Sequence, residues 1–546
     1  LDGKEVLGIR LNWDKRYITL SPVATVLGLA FKLYDPEQLL SEKVDVGITV
    51  ALIPTNTAGV TIGRRHMPLG TPFQNGPTQG KDVFMPIDAI IGGPERAGQG
   101  WRMLMEQLAE GRGVSLPSEA QGGAQAAVYA TGAYARIRKQ FNVSVSQFEG
   151  VGEIIARMAG NTYIMNAGVS VTCNLISRGA KPAVPSAILK ARCTELGRQV
   201  SSDAMDIQGG KGVMMGPKNY LANTYASIPI SITVEGANIL TRSLIIFGQG
   251  AIRCHPYVLK EMAAAKNPDY SAGLAEFDDS LFKHIGNALG NAARSFVLAL
   301  THARFTDVPV EGPTKRYYQH INRFSAAFAL TADIAMLVLG GSLKRRESLS
   351  GRLADVFGSL YLASTVLKHF ENQGRQESDL PLVEWACRQL LYQAQEQLHG
   401  FLRNFPNRLV AAGLRAMIFP LGRMYSAPSD KLAFQIVDLV THPTPSRERL
   451  TEDTYIAQHE SNPLGMLQAA LELAEHAAPL EKKIRDAVKA DLISGADLPA
   501  QIDAALAKGV LMADEAEELR HYDAAVMALV AVDDFGPEAF GRPSSS

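Results

Sequence analysis

Cysteine is scarce in this chain: four in 546 residues, at positions 173, 193, 254 and 387. They form no CxxC pair and stand beside no histidine at ligand spacing, which excludes a disulfide framework and a metal site and points to a reducing compartment. An excess of one charge sign is missing as well. The formal net charge is −1, so there is no global basic field to attract nucleic acid. Long uncharged runs are also lacking. Residues 18–31 come near, but they contain Ser, Pro and Gly, alternate like strands, and are too short for a bilayer. No heptad array and no period of 20–50 residues marks a solenoid. Nor does a signal peptide open the chain. "LDGKEVLGIRLNWDKRYITL" has no initiating Met and no disordered lead, so the expectation is a large C-terminal piece of something longer.

What is present is a globular profile, 46% hydrophobic and 20% charged, with room for two to four domains. Up to about residue 95 the texture is strand-like: "RYITLSPVATVLGLAFKLYDP", "VDVGITVALIPTNTAGVTIG" and "GKDVFMPIDAIIGG" carry β-branched runs between Pro, Gly, Asn and Asp. From Trp101 it turns helical. A helix, a break near Pro117 and a second helix rich in small residues come first. A long amphipathic helix follows over "SQFEGVGEIIARMAGNTYIMNAGVSVTCNLISRG", then another stopped by Gly209 and Gly210. Past about 258 a polar, loop-like stretch leads to a second helical region. The fold class expected is α+β, mostly α: a small β-domain (1–100), a helical bundle (101–258), a C-terminal helical extension (275–535) and a disordered tail (536–546).

One stretch, "SITVEGANILTRSLIIFGQGAIR" at 231–253, places a lone carboxylate between an apolar lead-in and an apolar helix. Burying an unpaired carboxylate costs several kcal/mol, so Glu235 needs a reason. An ordinary first-turn acid favoured by the helix dipole, with Asn238 or Thr241 as cap, would be one.

Five segments in series supply another. "RYIT", "GQGW…LAEGR", "RKQF…SQFEGVGEIIARMA", "DIQGGKG" and "VEGAN" together resemble the acyl-CoA dehydrogenase family over about residues 1–258. "NRFSAAFALTADIAMLVLGGSLKRRESLSGRLADVFGSLYLAS" is similar to the C-terminal extension of long bacterial members that act in fatty-acid β-oxidation. The resemblance implies FAD as cofactor, a fatty acyl-CoA as substrate and Glu235 as the base that removes the α proton. Gly236 then lets the reactants approach closely. A carboxylate in an apolar setting is a stronger base, which suits so weak a carbon acid. A minority of the family carries its base just before the arginine of the "xxR" motif. Here that position is Gly111, and Glu110 on a helix would point about 100° away.

The resemblance carries over further residues. Tyr17, Ile18 and Thr19 match the strand against the isoalloxazine ring, with Tyr17 where the family usually has tryptophan. Arg138 and Phe141 match the pair that reaches the flavin pyrophosphate across a homodimer. Asp206, Gly209 and Gly210 match the flavin turn, and Arg112 a position near the acyl-CoA. Asp206 and Glu149 stand where the family has glutamine, and Ala237 and Ile239 replace its Thr and Gln. The resemblance implies an N-terminal helical domain and a Gly/Ser flavin loop ahead of "RYIT", so the expectation is that residues 1–546 lack both. The implied activity is acyl-CoA desaturation with electrons passed to an electron-transfer flavoprotein; an oxygen-using oxidase and a silent assembly module are the rivals. The implied location is the cytoplasm. The basic segment "SLKRRESLSGR" reads as a solvated turn between bundle helices, or as a surface that meets a partner subunit or anionic lipid on the inner membrane face.

Overall fold

The computed structural model describes residues 3, 5–457, 459 and 462–540, which divide into two compact units. The first comprises residues 1–111 and 229–231 and is built on alternating strands. β1 (Gly8–Thr19) buries Ile9 and Leu11 while Arg10 and Asn12 face out, the period-2 pattern of a half-covered sheet. It pairs antiparallel with β5 (Asn75–Pro86), whose other edge carries β4 (Val60–Thr61); β2 (Val26–Tyr34) and β3 (Asp45–Pro54) form a separate hairpin. Their inner faces share one core of Ile9, Leu11, Leu27, Leu29, Ala51, Ile53, Val83 and Met85. The register of β1 slips between Lys15 and Ile18, and Tyr17 there adopts a left-handed φ of 64°. That bulge leaves its ring exposed, tilted against His66.

The second unit is helical. α1 (Gly100–Ile137), which starts in the first unit, runs on without the break expected at Pro117. Proline removes one hydrogen bond from a helix. Packing holds the rest: a Cβ on Gly113, one turn earlier, would stand 2.5 Å from Ser186 Oγ. A two-residue hairpin, β6 (Lys139–Gln140) and β7 (Val143–Ser144), leads to α2 (Glu149–Ser177) and α3 (Ala183–Gln208). Gly209 ends α3 at φ 54°, as its sequence predicts. After α4 (Gly210–Val213) the apolar, β-branched lead-in is the second half of α5 (Ala222–Thr233). Asn219 Oδ1 caps that helix, accepting from the Leu221 and Ala222 amides, and the cap overrides strand propensity. α6 (Asn238–Leu240) passes into a π-helical stretch, Thr241–Gln249, and α7 (Gly250–Cys254).

The stretch expected to be loop-like is helical too: α8 (Val258–Ala264) and α9 (Tyr270–Leu300), capped by Asp269. Then come α10 (Lys315–Leu339), α11 (Glu347–Asn372), α12 (Leu380–Asn404), α13 (Arg408–Ile418), α14 (Asp430–Thr441), α15 (Pro445–Leu450), α16 (Pro463–Lys489), α17 (Leu498–Ala507) and α18 (Ala513–Val530). Most residues of the expected bundle (101–258) and of the expected extension (275–535) fall in one compact unit, 112–228 with 232 onward. A single core joins Ile155, Ala159 and Leu189 to Leu362, Trp385 and Ile436, and another joins Tyr134 and Ile137 to Leu471 and Leu519. The expected tail begins with a 3-10 turn, Pro537–Phe540, and its residues 541–546 lie outside the described ones, as does the side chain of Glu110.

Among the described residues one unbroken helical stretch, Lys315–Arg345, is long and apolar enough to cross a membrane by length and composition, and the bent pair Ala222–Thr233 and Asn238–Cys254 passes the same test taken together. The unbroken stretch carries buried polar groups that bond to neighbouring elements of the same unit. Arg323 donates to Tyr425 Oη and the Ile418 carbonyl, and Asp333 meets His255 at 2.9 Å. The basic segment that follows is the 3-10 turn Gly340–Arg345 before α11, with Lys344, Arg345 and Arg346 exposed.

Candidate functional site

Between α5 and α6 the chain turns through two consecutive left-handed residues, Glu235 (φ 53°) and Gly236 (φ 93°). Glu235 therefore precedes the helix start at Ala237 and is no first-turn acid. Asn238 and Thr241 do not cap it either, because their side chains are engaged elsewhere. α3 delivers Lys190 beneath the turn, fully buried. Its ammonium donates to the carbonyls of Ile232 (3.1 Å) and Gly236 (2.9 Å) and to Asn238 Oδ1 (2.8 Å). Asn238 Nδ2 donates in turn to Thr194 Oγ1 (2.9 Å) and Glu195 Oε1 (3.2 Å) on α3, and Thr241 Oγ1 donates to the Gly236 carbonyl (3.2 Å). Burial pulls Lys190 down to about 8; Arg112 pushes the same way, and Glu235 and Glu195 oppose.

α1 brings Arg112 to the same place. Its Nη2 lies 3.9 Å from where a Cβ on Gly236 would stand. Burial lowers its pKa from the usual guanidinium value, and the neighbouring Glu235 charge opposes that. Arg112 Nε and Glu235 Oε2 are both buried and have no hydrogen-bond partner. Two apolar cavities in this unit, around Phe247 and Met336, are lined by none of these residues.

Of the residues singled out from sequence, Arg112, Glu235 and Gly236 thus come together. Arg138 follows the end of α1, and Phe141 stands in the β6–β7 turn with φ 52° and its ring 90% exposed. Lys139 beside them pairs with Glu481 on α16. Asp206 is exposed on the last turn of α3, and Gly209 and Gly210 have open space where a Cβ would point. Glu149 is exposed in the first turn of α2. Tyr17, Ile18 and Thr19 belong to the first unit. Sequence reading missed Lys190, Glu195 and the hub role of Asn238.

Comparison with known proteins gives two family matches along the chain. "Acyl-CoA dehydrogenase, C-terminal domain" matches residues 98–247, and "Acyl-CoA dehydrogenase, C-terminal, bacterial type" matches 252–535. Among curated relatives, the probable acyl-CoA dehydrogenase FadE10 of Mycobacterium tuberculosis is 24% identical over 346 residues, 60% of this chain and 50% of that protein. Protein HemX of Proteus mirabilis is 64% identical over 104 residues, 19% of this chain and 61% of that protein. The chain thus spans less than two thirds of either relative. The acyl-CoA dehydrogenase of Bacillus anthracis, solved with FAD, superposes with a TM-score of 0.61 at 18% identity, over 82% of this chain and 71% of that one. That likeness is one of fold.

Proposed function

The chain belongs to the acyl-CoA dehydrogenase family, and on that premise we propose that it carries the catalytic base of an enzyme that desaturates fatty acyl-CoA between the α and β carbons. FAD is the proposed cofactor, an electron-transfer flavoprotein the electron acceptor, and a homodimer the working form. The observation that carries the reading is a pair of unsatisfied buried atoms, Glu235 Oε2 and Arg112 Nε, on two residues whose charges act on each other. A buried polar group without a partner costs about 1–3 kcal/mol, so a site that keeps two is arranged for a ligand's polar atoms.

The residues present also fit a flavin dinucleotide. Gly209 and Gly210 offer unobstructed backbone, the Phe141 ring is exposed, and on the first unit the Tyr17 ring is exposed at its bulge. In the second unit Arg138, Phe141, Asp206, Gly209 and Gly210 would contact FAD, which when bound supplies an acceptor for the β hydrogen; in the first unit, described by itself, Tyr17, Ile18 and Thr19 are the residues proposed for flavin contact. The chain's own residues do the rest. Glu235 takes the α proton on its carboxylate, Gly236 keeps a side chain out of the path, and Arg112 orients the acyl-CoA. Four free cysteines, Cys193 and Cys387 buried, suit the cytoplasm.

Glu235→Gln tests the reading, because it keeps the shape of the turn and removes only the basic oxygen. In the flavin-loaded protein, anaerobic bleaching by an acyl-CoA should slow by ~10²–10⁴-fold or more, with flavin and acyl-CoA binding nearly unchanged. Bleaching at a near-normal rate would overturn the assignment.

A further inference from the structure

We propose that Lys190 is the positioning residue for the base: its ammonium clamps both sides of the left-handed turn from which Glu235 is presented. The inference rests on Glu235 being the base, and it is built from the geometry beneath that residue. A lysine ammonium has three N–H donors and no acceptor. Lys190 spends all three, on the Ile232 carbonyl before Glu235 and on the Gly236 carbonyl and Asn238 Oδ1 after it. Three donors meet three acceptors in a site where an unmet one is costly. Glu235 holds a backbone conformation that non-glycine residues rarely adopt, and such a conformation persists only where its surroundings enforce it. Asn238 completes the clamp by tying the far side of the turn to Thr194 and Glu195 of α3. α3 thereby fixes the turn, and the turn fixes the carboxylate.

The number of donors makes the clamp depend on charge. A neutral amine has two N–H groups for three acceptors, so loss of the proton releases one of the three bonds. Arg112 from α1, Glu195 from α3 itself and Glu235 from the turn are the charged groups that act on Lys190. With Lys190 titrating at about 8, the clamp is complete below that pH and loosens above it. Global stability moves the other way. The unfolded chain keeps this proton up to about 10.5, so between about 8 and 10.5 it binds more protons than the folded chain, and this group's contribution to stability rises with pH. Activity lost in that window through Lys190 is therefore not unfolding.

The test compares Lys190→Met, Asn238→Ala and Glu235→Gln in the flavin-loaded protein, reading kcat and KM for an acyl-CoA across pH 6 to 10, with thermal unfolding alongside. Misplacing a reacting group by about 1 Å can cost ~10²-fold. Lys190→Met should accordingly lower kcat about 10- to 100-fold with KM changed by less than about threefold. It should also erase the alkaline fall in rate that the clamp predicts for the unmodified protein above about pH 8. Asn238→Ala should lower kcat in the same direction by less, and it decides the matter if Lys190→Met fails to fold. An unchanged kcat and an intact alkaline limb in either folded variant, with Glu235→Gln inactive, overturn the clamp and leave the base reading standing. An active Glu235→Gln overturns both.

Discussion

Glu235 and Gly236 share one conformational problem, and only one of them solves it cheaply. Glycine enters the left-handed region freely, whereas Glu235 is there at φ 53° against its own sterics. Gly236→Ala puts a second side chain in that region and sets its Cβ 3.2 Å from Thr241 Oγ1. The expected cost is about 1–3 kcal/mol, read as a lower thermal midpoint, with reduced kcat. A midpoint and a rate equal to those of the unmodified protein would show that the turn tolerates a side chain. This pair was legible from sequence because Glu-Gly lies close together in the chain. Lys190 was not. In "PSAILKARC" it reads as one more solvated helix lysine, and its three acceptors lie 42, 46 and 48 residues away. Local pattern carries no sign of such a bond.

α2 shows the same limit for a whole element. Its sequence reads as amphipathic, yet it is buried through most of its length because α11, α12, α14 and α3 surround it. Small residues make that enclosure possible. A Cβ on Gly160 would fall 2.0 Å from Trp385 Cε3, on α12. Gly160→Ala should therefore destabilise by about 1–3 kcal/mol through overpacking. With three tryptophans in the chain, the emission of Trp385 should report its displacement. An unshifted denaturation midpoint would mean that this contact relaxes without cost. A different device holds α8. His255 Nδ1 accepts from the Tyr257 and Val258 amides at 3.2 and 3.1 Å, which leaves the ring proton on Nε2, facing Asp333. The nearby His284, bonded to Glu261, brings a third possible ligand, but a protonated Nε2 gives the cluster the character of a hydrogen-bonded cap. Neither the enclosure of α2 nor this cap was visible in one segment at a time.

At the scale of the molecule, the strand-first, helix-after order was readable because the change from period 2 to helical periodicity is local. That the helical residues form one unit was not, since it depends on which apolar faces meet. One face remains uncovered. α9 exposes Phe282, Ile285, Leu289, Phe296 and Leu300, spaced to form a stripe along one side. Stripes of this kind mark association surfaces. The protein should be a dimer or larger by light scattering at micromolar concentration, and Leu289→Asp should shift it toward the monomer. A clean monomer before mutation would sink that expectation.

The shared core of α2 has a consequence in time. Asn166 bonds to the carbonyl of Leu450, and Gly160 rests against Trp385. Chains emerge from the ribosome N-terminus first, at roughly 5–20 residues per second. α2 is thus complete for tens of seconds before its last partners have been translated. Through that interval Ile155, Met158, Ala159 and Ile164, among the most deeply buried residues of the finished protein, have no finished core to enter. For this stretch of the nascent chain, shelter has to come from outside.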